Sequence, residues 1–111
     1  MYRAICIFAV LAVIACAADK SHQRALVEWD KNKKIVEAGI RGDHSDEDKY
    51  LRAVIFFGKL TGLPIRGNAG TFGLLPNKDT ARDFAAVQEW CRKNCKNLYW
   101  DESSRSVKMA E

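Results

Sequence analysis

The chain opens with an unbroken apolar run and then changes rhythm. From Ala4 to Ala15, AICIFAVLAVIA, twelve consecutive residues are apolar. Beyond it, polar and apolar positions follow helical spacing. Leu26, Trp29, Val36 and Ile40 fall on one stripe, with Lys31, Lys33 and Lys34 beside or opposite it. That pattern predicts a first helix from about Ser21 to Ala38, ended by Gly39 and Gly42. A second helix is predicted by Tyr50, Ala53, Val54, Phe57 and Leu60, in i, i+3, i+4, i+7 order. Ser45 stands as its N-cap with Asp48 at capping-box spacing, and Gly62 and Pro64 stop it. Leu51, Ile55 and Phe56 form a second apolar stripe, so this helix is expected to be covered on more than one side and central to the core.

Residues 63–78, LPIRGNAGTFGLLPNK, show neither period. The glycines Gly67, Gly70 and Gly73 are spaced G-x-x-G-x-x-G, unlike the dinucleotide or P-loop patterns that cradle phosphates. Leu63, Ile65, Phe72, Leu74 and Leu75 predict an ordered loop that packs back on the helices. A third helix starts near Thr80, with Asp83 at capping-box spacing, and runs to about Lys96. At 100° per residue, Phe84, Val87, Cys91, Cys95 and Leu98 share an arc of roughly 80°. Trp90 lies just off that arc, and Arg92, Lys93 and Lys96 point toward solvent. LYW and SVKM around DESSR predict a small hairpin. The expected fold is mainly α: a small three-helix domain with an ordered Gly-containing loop and a short C-terminal β-hairpin, preceded by an N-terminal signal helix. Its expected core is Trp29, Tyr50, Val54, Phe57, Leu60, Phe84, Val87, Trp90, Leu98 and Trp100.

The apolar run changes where the protein is expected to go. Arg3 precedes it and small residues follow, the order of a secretory signal peptide. Twelve residues span only about 18 Å as a helix, short for a bilayer. Ala15-Cys16-Ala17 fits cleavage after Ala17, giving a signal peptide over 1–17 and one domain over 18–111. Val13-Ile14-Ala15-Cys16 also resembles a lipobox, which would make 1–15 the leader and Cys16 a lipidated N-terminus. A third reading is an uncleaved anchor. The expected location is periplasmic or extracellular, with membrane contact only through the leader or a lipid on Cys16. The formal charge of +4 falls to +3 without Arg3. Those charges are spread over all the helices and balanced by acids, which makes nucleic acid a poor candidate partner, so none is expected.

Candidate chemistry narrows to a few residues. Cys91 and Cys95 at i, i+4 can point two ligands at one ion. The remaining ligands would be His22 and His44, on separate segments, an arrangement unlike the two tight pairs of structural zinc sites. A redox pair belongs at a helix start, where the dipole lowers thiol pKa, whereas this pair lies near a helix end. Two readings remain for the cysteines: reduced and packed as small hydrophobes, or joined as a local disulfide. His22 falls on the apolar stripe of the first helix and reads as a half-buried, hydrogen-bonded side chain. RGDHSDED (Arg41 to Asp48) surrounds His44 with four acids but lacks the calcium-loop pattern, and reads as a solvated loop and helix cap. No Ser-His-acid order or nucleophile elbow occurs, and no cofactor is implied.

Two stretches resemble a group of exported, functionally uncharacterised bacterial proteins, some of them HEAT-like. YLRAVIFFGKLTG (Tyr50 to Gly62) resembles their helix ending in Leu-Thr-Gly, and WCRKNCKNLYWDE (Trp90 to Glu102) their following helix and Leu-x-Trp-Asp tail. The likeness spans roughly residues 47–109 and rests on Leu60, Thr61, Gly62, Trp90, Asn94, Leu98, Trp100 and Asp101. Cys91 replaces the usual aromatic, and no repeats lie upstream. The resemblance implies a helical packing or interaction module with no activity to carry over, its shared residues serving as core and caps. The expectation is an exported, non-catalytic binding or scaffold module whose partner is another protein or an envelope component. The alternative is a small metal-dependent or thiol enzyme using Cys91, Cys95 and a histidine.

Overall fold

A computed structural model describes the main chain of residues 2–69 and 74–110 and the side chains of residues 19–67 and 76–110. The elements are helix α1 (Tyr2–Ile40), helix α2 (Glu47–Thr61), strands β1 (Asn68–Ala69) and β2 (Leu74–Leu75), helix α3 (Thr80–Asn94), a 3-10 turn (Cys95–Asn97), and strands β3 (Leu98–Asp101) and β4 (Ser106–Met109). The fold is therefore mainly helical with a C-terminal antiparallel hairpin, as the periodicities predict. Gly70, Phe72 and Gly73 of the expected packing loop lie outside the described residues, as do the side chains of Cys16, Leu74 and Leu75.

Three expectations about the helices need correction. The apolar run and the first amphipathic helix form one helix, α1, because no Gly or Pro lies between Ala4 and Ala38 to interrupt it. Gly39 does not terminate it. It sits inside the last turn, where a Cβ would fall 2.5 Å from Cδ2 of the buried Tyr50 ring. Its role is close approach: α2 lays Tyr50 where any larger residue would stand. Lastly, α2 is not alone at the centre: it packs against α1, α3, β2 and β4 as expected, and α1 shares that place by packing against α2, β3 and β4. The second stripe of α2 stays partly open, with Ile55 at 45% exposure and Leu51 half-buried.

Caps follow the sequence loosely. Asp46, one residue after the expected Ser45, caps α2 by accepting from the Lys49 N–H at 2.9 Å. Its C-terminus ends as expected at Gly62, whose φ of +73° is the left-handed conformation glycine favours and whose N–H reaches the Gly58 carbonyl at 2.9 Å. Thr80 and Asp83 were expected to make a capping box. Both instead turn inward and hold the loop. Thr80 Oγ1 donates to the Arg66 carbonyl (2.7 Å) and accepts from the Asn77 N–H (2.8 Å). Asp83 accepts from the Arg66 N–H (2.8 Å) and from its guanidinium through Nε (2.9 Å) and Nη2 (3.0 Å). Within the loop, β1 and β2 pair antiparallel, Asn68 opposite Leu75 and Ala69 opposite Leu74, a short ladder the sequence pattern does not announce.

The core runs from Ala25, Trp29 and Val36 of α1 through Tyr50, Ala53, Val54 and Phe57 of α2 to Phe84 and Val87 of α3, closed by Ile65, Leu98 and Val107. Of the expected core, Leu60, Trp90 and Trp100 are half-buried and pack against its edge. Leu26 of the expected stripe is 36% exposed; Ala25, fully buried, takes its place because a small side chain there lets the hairpin approach. β3 and β4 pair in the register Leu98–Met109 to Asp101–Ser106. The hairpin is fastened to α1 by backbone groups: Ser21 Oγ donates to the Trp100 carbonyl and accepts from its N–H, both at 3.0 Å. Arg24 places its guanidinium 4.2 Å over the Trp100 ring, a cation–π contact.

The Arg66 guanidinium and backbone hold the Asp83 carboxyl below its ordinary value, and the Lys108 ammonium with Ser104 and Ser103 does the same to Asp101. Groups with depressed folded pKa values stabilise fully above the unfolded value and lose that contribution as pH falls through the folded one. We expect stability from these two carboxyls to be constant between neutral pH and about 5, then to decline below the ordinary value of 3.8. Asp83→Asn should unfold more readily at pH 7 and show a shallower acid limb, read by denaturant unfolding across pH. An acid limb identical to that of the parent would contradict the Asp83 contribution.

Candidate functional site

An open groove lies between α1 and α3. It encloses about 470 Å³ and is lined by Trp29, Lys33, Ala85, Gln88, Glu89, Cys91 and Arg92. Its construction follows from helical phase. Trp29 and Lys33 are one turn apart on α1, so both line the groove from one face of the helix. Ala85, Gln88, Glu89 and Arg92 recur at three- and four-residue spacing and make one face of α3. The small Ala85 opens the floor, and the longer side chains build the wall.

Trp29 forms the bottom and is only 6% exposed. Its ring meets Phe57 edge-on at 4.8 Å and 80°, and stacks on Trp90 at 5.9 Å and 14°. Phe56 meets Trp29 at 6.4 Å and Phe57 at 5.1 Å, and Phe57 meets Phe84 at 5.3 Å. The floor is thus the outer edge of an aromatic cluster shared by all three helices, and it is rigid for that reason. The walls carry two cations, Lys33 and Arg92, and one carboxylate, Glu89. Arg92 donates to Glu89 at 2.8 Å across exposed side chains, so that pair holds geometry more than energy. Lys33 has no acidic partner among the described residues, the nearby Asp30 being taken by Lys34 at 3.0 Å.

Cys91 and Cys95 are bonded to each other, with Cα atoms 4.6 Å apart. Of the two readings left open by the sequence, the structure adopts the disulfide. Both residues are half-buried at the rim of the core rather than within it. The reason is local: α3 ends at Asn94 and tightens into the 3-10 turn, which draws Cys95 toward Cys91 and off a regular helical stripe. Cys91 lines the groove, so the bond also fixes its inner wall.

The other candidate ligands are not brought together. His22 Nδ1 donates to the Leu98 carbonyl at 2.8 Å, fastening α1 to the hairpin as a half-buried structural histidine. His44 is exposed in the turn after α1, the helix end at Ile40 lying about 27 Å along the axis from His22. Among the described residues no group of three or more His, Cys, Asp or Glu side chains is gathered as metal ligands would be. The acids around His44 are engaged in local structure: Asp43 accepts from the Ser45 N–H (3.0 Å), Asp46 caps α2, and Asp48 pairs with Arg52. The hydrogen bonds from Ser45 hold the Asp43 carboxyl below its ordinary value.

Sequence reasoning placed Trp29, Trp90 and Arg92 correctly on their helices but did not assemble them. Lys33 reads as lying off the apolar stripe of the first helix, Gln88 and Glu89 carry no signal of their own, and only the approach of α3 to α1 makes the three a wall. Comparison of the chain with known protein families, curated proteins and solved structures finds no match.

A closed loop of about five residues stabilises by about 2 kcal/mol on the chain-entropy account. Reductant should lower the melting temperature by on the order of 10 °C, and the Cys91→Ala, Cys95→Ala double variant should melt at the reduced temperature whether or not reductant is present. Equal melting of the oxidised and reduced protein would show that the bond adds nothing to the fold.

Proposed function

We propose that the chain is an exported, non-catalytic helical module of the bacterial envelope that binds another protein or envelope component through the α1–α3 groove. The groove itself carries the reading. It is concave, floored by an indole held against three other rings, and walled by side chains from two helices and a disulfide. Such a surface presents a pre-formed apolar floor beside a few polar groups. A non-catalytic role is supported by the assignments of the nucleophile and base candidates. The thiols are spent on each other, and His22 is spent on a backbone carbonyl.

Export is supported by the leader pattern of Arg3, the apolar run from Ala4 to Ala15 and the small residues after it. The residues of the bacterial resemblance fit a packing module as well: Thr61 Oγ1 donates to the Phe57 carbonyl (2.7 Å), Asn94 Nδ2 to the Trp90 carbonyl (2.9 Å), and Leu98 is buried.

Ala85 is exposed on the groove side of α3, so Ala85→Arg fills the floor without entering the core. With tagged wild type and variant expressed in a bacterial envelope, we expect cross-linking to retain at least one component on the wild type that the variant loses, the two melting alike. Identical retention would contradict binding through this groove.

A further inference from the structure

The walls of the groove specify more than a generic partner. Lys33 stands on the α1 side, half-buried and with no acidic partner among the described residues, while Arg92 stands opposite on α3. Arg92 shares its charge with the single groove carboxylate, Glu89, through an exposed pair that an incoming carboxylate can rearrange at little cost. Lys93 and Lys96 follow Arg92 in the last turn of α3 and its 3-10 extension, both exposed and neither ion-paired among the described residues. Of the groove lining, the cations are Lys33 and Arg92, and the apolar part is Trp29, Ala85 and Cys91. A cationic rim around an apolar floor is the complement of an apolar side chain flanked by carboxylates.

We infer that the groove takes an acidic peptide segment, setting one apolar side chain on Trp29 and Ala85 and its carboxylates on Lys33 and Arg92. The inference rests on the groove being the binding site and adds the chemistry of its occupant. The placement of Lys33 favours a peptide over an anionic bilayer. A bilayer meets exposed, coplanar cations, whereas Lys33 is half-buried in a groove it lines together with Trp29. Arg92 contributes a planar fork suited to a carboxylate, and Lys33 a point charge adaptable to a second one.

The test uses the full chain with three short synthetic peptides of equal length, each with a central leucine flanked by glutamates, by glutamines or by lysines. Binding is read from amide shifts of residues 29, 33, 85, 88 and 92. The glutamate peptide is expected to move these amides, and the lysine peptide to leave them still. Raising ionic strength from about 0.01 to 0.15 M, which shortens the screening length from about 30 to about 8 Å, should weaken the complex. Lys33→Glu should weaken it by at least about fivefold, with Lys33→Gln intermediate and both variants melting like the parent. Equal shifts from the glutamine and glutamate peptides, insensitive to salt, would overturn the acidic occupant while leaving the groove as a binding site. Absence of groove shifts with every peptide would overturn both. Binding of phosphatidylglycerol vesicles that Lys33→Glu and Ala85→Arg leave unchanged, with no groove shift from the glutamate peptide, would overturn the inference in favour of a lipid surface.

Discussion

Trp29 is the residue on which the rest of this structure depends. Its indole lies edge-on to Phe57 of α2 and flat against Trp90 of α3, so one side chain of α1 ties all three helices together. A chain this short buries a modest core, and a cluster of five aromatic rings supplies much of the contact area available to it. The neighbouring parts are fitted around that anchor. One turn before Trp29, Ala25 is small enough for the hairpin to lie against α1; toward the other end, Gly39 lets Tyr50 bring the start of α2 into contact. The same helix therefore receives the hairpin near its middle and α2 near its end.

The same indole links fold to function. Its inner side stabilises the core and its outer edge floors the groove, so the surface offered to a partner is no softer than the interior behind it. The disulfide extends that rigidity along α3. A cysteine pair that looks like the chemical centre of the sequence thus has a mechanical role: it secures the wall of a recess whose recognition groups are Lys33 and Arg92.

Helix existence, hairpin position and most core residues were legible because each depends on local period. Phe57, Phe84, Val87 and Leu98 are buried where their spacing puts them. What was not legible depends on non-local pairing. Thr80 and Asp83 have the spacing of a capping box, yet their partner is Arg66, fourteen residues before Thr80 and seventeen before Asp83. Glycine at position 39 reads as punctuation until Tyr50 is seen lying against it. The place of α1 beside α2 at the centre was hidden because its stripe looks sparse: the hairpin covers it through Ser21 and His22, two polar residues whose partners are backbone groups of β3. The groove was illegible for the same reason. Each helix contributes an ordinary polar face, and only their juxtaposition is distinctive.

A double-mutant cycle on Trp29→Leu and Trp90→Leu tests the central claim most directly, since it isolates the coupling between α1 and α3 that both core and groove require. Denaturant unfolding of the four proteins should give a favourable coupling of about 0.5–1.5 kcal/mol between the two indoles. Strictly additive losses, with no coupling, would contradict a structure in which the two rings stack and would remove the floor from the proposed site.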